Sequence, residues 1–244
     1  MKRLVVTPTL LLISVAAAQA QTVDLGALLP NGGASATARM LQIAAVLTVL
    51  SVAPGLLIMV TSFTRFIVAL SFLRSGLGLQ STPSNIVMTS LAFFMTLFVM
   101  TPTFDKAWRN GVKPMMDNAI TQEQAFTEIV QPFREFMLAQ VREKDIALFE
   151  DLSRHEFDQR DRAQVDLRVL IPSFMISELR RGFEIGFMII LPFLVIDLVV
   201  STLTMSMGMM MLPPTVLSLP AKLLFFVMMD GWNLLIGSLV RSVG

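Results

Sequence analysis

The charged residues of this 244-residue chain are concentrated in one segment, and this distribution restricts the fold more than any other feature. Residues 104–181 carry 12 basic and 14 acidic side chains, out of 19 and 18 in the whole chain. Charged residues make up only 15% of the sequence, whereas soluble domains have roughly a quarter. The pattern predicts a membrane protein with one water-exposed insert.

Four apolar stretches flank this insert, two on each side: residues 40–60, 86–101, 182–203 and 212–240. A helix of about 20 apolar residues is long enough to cross a bilayer. The sequence therefore predicts an all-α integral membrane protein. Two long apolar helical hairpins, residues 40–103 and 182–244, flank a polar helical domain at residues 104–181.

The N-terminus has the three parts of a secretory signal peptide: the basic residues Lys2 and Arg3, the apolar residues 4–15, and Ala18-Gln19-Ala20. We predict that residues 1–20 are cleaved and that residues 21–39 form a periplasmic linker. An uncleaved first membrane helix is the alternative, and the short apolar core with Pro8 favours cleavage. Four crossings then place the polar domain and both mature termini in the periplasm.

Prolines and caps predict where helices begin and end. Pro54-Gly55 predicts a kink or break, Pro102 the end of a helix, and Pro132 a break or a new first turn. Thr121, with Gln124 three residues later, is typical of a capping box.

Composition argues against several functions. The net charge of +1 gives no basic field for nucleic acid, and neither phosphate-binding glycine motif is present. With no cysteine and only His155, we expect no metal, no cofactor and no catalytic activity. A membrane hydrolase that uses His155 or carboxylates of the insert stays open as an alternative, although we expect His155 to be solvated.

Two charged residues lie inside apolar stretches, Asp197 and Lys222. An unpaired charge at the centre of a bilayer costs roughly 2.5–3.5 kcal/mol, so each requires a partner or access to water. Pairing with a charge on a neighbouring helix is one solution, and snorkelling to water from a helix end is the other.

For the other charges near the apolar stretches we expect simpler roles. Arg180 and Glu184 are spaced for a local pair on a helix, as are Glu178 and Arg181. We expect Arg65 and Arg74 to face water or lipid headgroups at the cytoplasmic end.

Five methionines occur within seven residues around Gly208: Met205, Met207, Met209, Met210 and Met211. Gly208 predicts a break between two helices. Thioether side chains are flexible and apolar, so this segment is suited either to filling a protein interior or to closing a pore softly.

Short motifs along residues 40–238 resemble one family in order and spacing. They are Thr61-Ser62-Phe63-Thr64-Arg65, Leu73-Arg74, Thr82-Pro83-Ser84-Asn85, Ile176-Ser177-Glu178-Leu179, Gly186-Phe187, Pro192-Phe193, Ile196-Asp197-Leu198, the methionine segment, Leu219-Pro220-Ala221-Lys222-Leu223 and Asp230-Gly231-Trp232. On these residues the chain resembles the FliP/SctR family of type III secretion export-gate proteins, in its flagellar branch.

The resemblance implies a non-enzymatic subunit of the flagellar export gate in the bacterial inner membrane, at the flagellar basal body. Five copies would assemble with FliQ and FliR, joined by FlhB, as a ring or helical oligomer that passes unfolded substrates. The methionine segment would be the gasket of the pore. Glu178, Asp197 and Lys222 would form charge pairs between subunits, with Lys222 meeting Glu178 of the next copy.

A secondary transporter with an ion or proton site at Asp197 or Lys222 is the alternative function, because ionisable residues inside membranes often mark such paths. The sequence contains no recognisable inverted repeat, and it has few helices for a transporter. Both features favour the gate subunit.

Overall fold

The computed structural model describes residues 36–153, 165–208 and 213–243, and within these ranges the chain is helical and contains no strand. The predicted all-α class is confirmed. The predicted signal peptide at residues 1–20 lies outside the described residues, as does most of the predicted linker.

Nine α-helices and one π-helical turn follow one another in the described residues. They are α1 (Ala36–Met59), α2 (Phe63–Gly76), α3 (Asn85–Ala107), the π turn (Trp108–Val112), α4 (Lys113–Met116), α5 (Gln122–Gln140), α6 (Glu143–Ser153), α7 (Leu167–Ser206), α8 (Pro214–Met228) and α9 (Gly231–Arg241).

The chain divides into two units, Met1–Ala53 and Pro54–Gly244. In the first unit the described residues belong to α1, where Thr48 Oγ1 donates to the carbonyl oxygen of Ala44 at 2.8 Å. All contacts described below lie within the second unit.

Helix α2 lies in the core of the second unit. Its residues Phe66, Leu70 and Leu73 are buried in a cluster to which α3, α7, α8 and α9 also contribute. A second cluster joins α5, α6 and the first part of α7, where Leu170 and Phe174 are fully buried. Helix α7 therefore links an apolar core to the core of the polar segment.

Helix α7 is long enough to contribute to both clusters. At about 1.5 Å per residue its 40 residues extend for about 60 Å, roughly twice the thickness of a bilayer's hydrocarbon core. Asp166 caps its N-terminus by accepting from the backbone N–H of Arg168 at 2.8 Å. The predicted domain boundary at residues 181/182 lies inside this continuous helix, and the division into domains stays a prediction.

Two glycines let α7 approach α2 closely. A Cβ at Gly186 would lie 2.5 Å from Cγ of Phe72, and one at Gly182 would lie 3.1 Å from Cβ of Val68. The two glycines are four residues apart and therefore share one face of α7. Small residues at this spacing permit the close backbone contact that is common between membrane helices.

The predicted helix end at Pro102 and the predicted break or new first turn at Pro132 are wrong. Helix α3 continues through Pro102 to Ala107, and α5 continues through Pro132, which is buried. Packing on neighbouring helices offsets the lost backbone hydrogen bond at Pro132, whereas Pro102 is exposed and has no such packing. Helix α1 runs through Pro54-Gly55, so the helix does not end there, and the alternative of a kink stays a prediction. The predicted capping box of α5 is confirmed, because Thr121 and Gln124 each bond the other's backbone N–H.

Two helical segments of the described residues are long and apolar enough to cross a membrane, Asn85–Met116 and Leu167–Ser206. Helices α8 and α9 together pass the same test but are bent by 66° at Met229-Asp230, so that they form a broken span or a re-entrant loop. Three of the four predicted apolar stretches fall on these segments. The fourth stretch falls on α1, which is not among these candidate spans.

Candidate functional site

The methionine-rich segment begins where helix α7 ends. Met205 lies in the last turn of α7 and Met207 directly follows the helix, and they are 64% and 72% exposed. Neither therefore fills the interior of its own chain. Met209, Met210 and Met211 lie outside the described residues, and α8 begins at Pro214.

Gly208 takes the left-handed backbone conformation, with φ of +72°. The N–H of Met207 donates to the carbonyl of Leu203 and the N–H of Gly208 to that of Met205, both at 3.1 Å. A side chain at this φ would be strained, because its Cβ would crowd the backbone. Gly208 therefore fixes the direction in which the chain leaves α7 toward the remaining methionines.

Lys222 of α8 and Asp197 of α7 form an ion pair. Lys222 Nζ donates to Asp197 Oδ2 at 2.6 Å and to the carbonyl oxygen of Gly76, the last residue of α2, at 3.0 Å. The end of a helix carries partial negative charge, which favours a cation there. Lys222 is buried and does not extend to the surface as the snorkelling alternative requires.

These two residues thus pair within one chain, whereas the sequence predicts partners on other chains. Asp197 Oδ1 is buried and has no hydrogen-bond partner among the described residues. The sequence alone could not place the pair, because Asp197 and Lys222 are 25 residues apart and belong to different helices. A further contact between either residue and a second subunit stays a prediction.

Arg65 and Glu178 form a second ion pair, between α2 and α7, and both side chains are 0% exposed. Arg65 Nε donates to Glu178 Oε2 at 2.9 Å, and Nη2 donates to Oε1. The expectation that Arg65 faces water or lipid headgroups is therefore wrong. A planar guanidinium matches a carboxylate with two parallel bonds, which makes burial of both charges possible.

The in-chain pairing also affects the role predicted for Glu178. Both of its carboxylate oxygens are occupied by Arg65, so a contact with Lys222 of another copy would compete with this pair. The intersubunit role of Glu178 stays a prediction.

Of the two predicted local pairs on α7, one forms, whereas Glu178 binds Arg65 and Arg181 donates to Gln140 instead. Arg180 Nε donates to Glu184 Oε1 at 2.7 Å along α7, so the predicted local pair is confirmed. Arg74 is partly exposed and donates to Asn85 Oδ1 at the start of α3.

A third polar cluster holds the turn between α5 and α6 against α7. Asp145 is buried and accepts from Ser177 Oγ at 2.5 Å and from Arg142 at 2.8 and 2.9 Å. Ser177 Oγ in turn accepts from the backbone N–H of Arg142 at 3.1 Å. The sequence alone does not predict this cluster. The three-residue spacing of Arg142 and Asp145 was the available signal, but nothing pointed to Ser177.

No group of three or more His, Cys, Asp or Glu among the described residues is placed to hold a metal ion. His155, on which the hydrolase alternative depends, lies outside these residues. A groove of about 590 Å³ beside α3 and α9 is lined by Phe94, Met95, Leu97, Phe98, Thr101, Ile236 and Val240. None of these side chains titrates, so the groove offers no acid or base.

Comparison with known proteins agrees with the resemblance. A family model described as the FliP family matches residues 46–239. Proteins named flagellar biosynthetic protein FliP are 62% identical in Agrobacterium fabrum, over 210 residues and 85% of each chain, and 62% identical in Rhizobium meliloti, over 201 residues and 80% of each chain. The protein of that name in Bacillus subtilis is 47% identical over 208 residues, which cover 85% of this chain and 92% of the relative. The chain therefore belongs to the FliP family.

Proposed function

We propose that this chain is a core subunit of the flagellar type III export gate and that it forms the wall and the methionine-lined closure of a channel for unfolded substrates. Five copies assemble with FliQ, FliR and FlhB in the inner membrane at the flagellar basal body. The polar domain and both mature termini lie on the periplasmic side. The observation that carries the proposal is the exposure of Met205 and Met207 at the end of α7.

Exposed thioethers at this position are suited to sealing a pore. Around a cyclic assembly axis each copy presents the same residues, so the methionines of all copies meet in one ring. An apolar ring stops water and ions by dewetting, and flexible unbranched side chains then adapt to a passing polypeptide. Gly208 supports this role because its left-handed conformation follows the exposed Met205 and Met207 at the end of α7.

The outer surface of α7 supports the role in the channel wall. Large apolar side chains remain exposed along the helix, among them Phe183, Phe187, Val195 and Leu198. Such a surface requires cover by lipid or by other subunits. In the proposed assembly, neighbouring copies and partner proteins cover part of it.

The proposed role is passive, without a catalytic step. Subunit packing forms the channel, the methionines close it, and an energy source elsewhere drives transport. The transporter alternative is weakened because Lys222 and Asp197 already bind each other and Gly76. Ion-coupled uptake by the purified chain in liposomes would favour the transporter.

Replacement of Met209, Met210 and Met211 by Ala tests the closure. We expect assembly to be retained and ion leak across the inner membrane to rise in cells that express the full gate, because shorter side chains leave the ring open. A matched control replaces three exposed methionines elsewhere, Met116, Met188 and Met228. Unchanged conductance in the first variant, or an equal leak in the control, would contradict the proposal.

A further inference from the structure

All five N–H donors of the buried Arg65 guanidinium have an acceptor, and two of these acceptors follow helix α9. Nε and one N–H of Nη2 bond Glu178, and the other N–H of Nη2 donates to Gln140 Oε1 at 3.0 Å. Nη1 donates to the carbonyl oxygen of Ser242 at 2.5 Å and to its Oγ at 3.3 Å. Arginine has five such donors, so its hydrogen-bonding capacity is fully used.

Gln140 makes a second connection to the same segment. Its Nε2 donates to the carbonyl oxygen of Val243 at 2.9 Å, while its Oε1 accepts from Arg65 and from Arg181, the latter at 2.7 Å. Two cationic donors on one side of the amide orient its N–H groups toward Val243. Helices α2, α5 and α7 therefore meet the end of α9 at one polar cluster.

The carbonyls at the end of α9 are suited to this contact. The last carbonyls of a helix have no partner within it and carry partial negative charge. Ser242 is held on α9 because its N–H donates to the carbonyls of Ser238 and Leu239, and Val243 is itself buried. The acceptors of the buried arginine are therefore held in fixed positions at the end of α9.

We propose that Ser242 and Val243 form a clamp that holds the buried Arg65–Glu178 pair and thereby fixes the end of α9 against α2 and α7. Without the clamp, two N–H groups of a fully buried cation lose their acceptors. Unpaired groups of this kind are expensive, so the region opens or admits water. The inference does not depend on the proposed export function.

A single introduced thiol measures the opening, because the chain contains no cysteine. Ser62, next to α2, is 0% exposed and its Oγ has no hydrogen-bond partner among the described residues, so Ser62→Cys removes no described bond. We expect slow maleimide labelling in the full chain. Deletion of residues 242–244 should raise the rate about tenfold or more, because the buried guanidinium then loses its acceptors.

Two further variants grade the effect. Gln140→Met removes the bonds to Arg65 and Val243 without adding a charge, and it should give an intermediate rise. Ser242→Ala removes only the Oγ acceptor and keeps the carbonyl, so it should label nearly as slowly as the full chain. A cysteine at Ser218 of α8, which is also buried, reports whether the whole fold has opened.

The decisive comparison repeats the deletion in a chain that carries Arg65→Met and Glu178→Met. With no buried pair to hold, the deletion should change the labelling rate by much less than in the parent chain. Equal effects in both backgrounds would overturn the clamp. Labelling of Gln140→Met and of the deletion at the rate of the full chain would overturn it as well. Where the deletion also exposes Ser218→Cys, the graded Gln140→Met variant decides.

Discussion

At the residue scale, two arginine–glutamate pairs differ in environment, one between α2 and α7 and the other within α7. Arg65–Glu178 is fully buried, whereas the side chains of Arg180 and Glu184 are 55% and 53% exposed. Water screens an exposed pair, so its net contribution to stability is small. A buried charge that loses its partner has no such compensation. The same two residue types therefore contribute very differently to stability.

Arg65→Met should lower the free energy of unfolding by about 3–5 kcal/mol, because Glu178 is left as an uncompensated buried charge. The matched control Arg180→Met should leave it nearly unchanged, since water screens that exposed pair. Thermal unfolding of the detergent-solubilised chain, followed by circular dichroism, compares the two. Equal melting temperatures would contradict the different environments.

Pairing at Lys222 yields a prediction that separates contacts within a chain from contacts between chains. Lys222→Glu places a carboxylate beside Asp197 and the carbonyl end of α2, so recovery of the oligomer should fall. If the in-chain pair dominates, Asp197→Lys restores recovery in the double variant. Rescue by Glu178→Lys instead would support the intersubunit pair. Failure of Asp197→Lys to restore recovery would count against charge pairing between these two residues.

The sequence indicates that charges inside the apolar stretches need partners, because an unpaired charge is destabilising there whatever the fold. It could not name the partners. Glu178 lies 113 residues from Arg65 and no local pattern connects them. The sequence therefore predicts a position at the membrane surface for Arg65, and this is wrong. Helical spacing, in contrast, correctly gave Arg180–Glu184, because that contact depends only on the geometry of one helix.

At the element scale, the continuity of the helices is what the sequence predicts least well. Proline rules describe isolated helices, whereas α3 continues through the exposed Pro102 and α5 through the buried Pro132. Hydropathy placed a boundary near residue 181, but α7 passes through it because its polar first part packs on α5 and α6. The capping box was predictable because its two bonds lie within four residues.

Substitution of Gly186 should disturb the contact between α2 and α7. Gly186→Ala brings a Cβ within 2.5 Å of the Phe72 ring, so one helix must shift. We expect a loss of roughly 1–3 kcal/mol, as in overpacked cores, and a larger loss for Gly186→Leu. Thermal unfolding in detergent measures both.

Gly55→Ala is the matched control for this substitution. No atom lies within 4 Å of the Cβ that it adds, and alanine favours a helix over glycine by roughly 0.5–1 kcal/mol. Its melting temperature should equal or exceed that of the parent. If Gly186→Ala behaves in the same way, the close approach of α2 and α7 is contradicted.

At the scale of the whole molecule, composition predicted the membrane class because it reflects the apolar surface that must be covered. The number of crossings does not follow from the sequence, because α8 and α9 bend by 66° and hydropathy does not reveal a bend. Stoichiometry is also beyond a single sequence. The methionines of α7 gain their proposed role only when several copies surround one axis.

The assembly prediction can be tested on the intact complex with a cysteine-free chain. Native mass spectrometry of the detergent-extracted gate should give a mass that contains five copies of this chain. Met207→Cys should then form cross-linked ladders with a short bifunctional reagent, because a ring at the axis brings the thiols together. Met116→Cys, equally exposed but in the polar segment, is the control. A monomeric mass together with no ladder from Met207→Cys would mean that these methionines face lipid, because a side chain directed outward from a single chain meets only acyl chains.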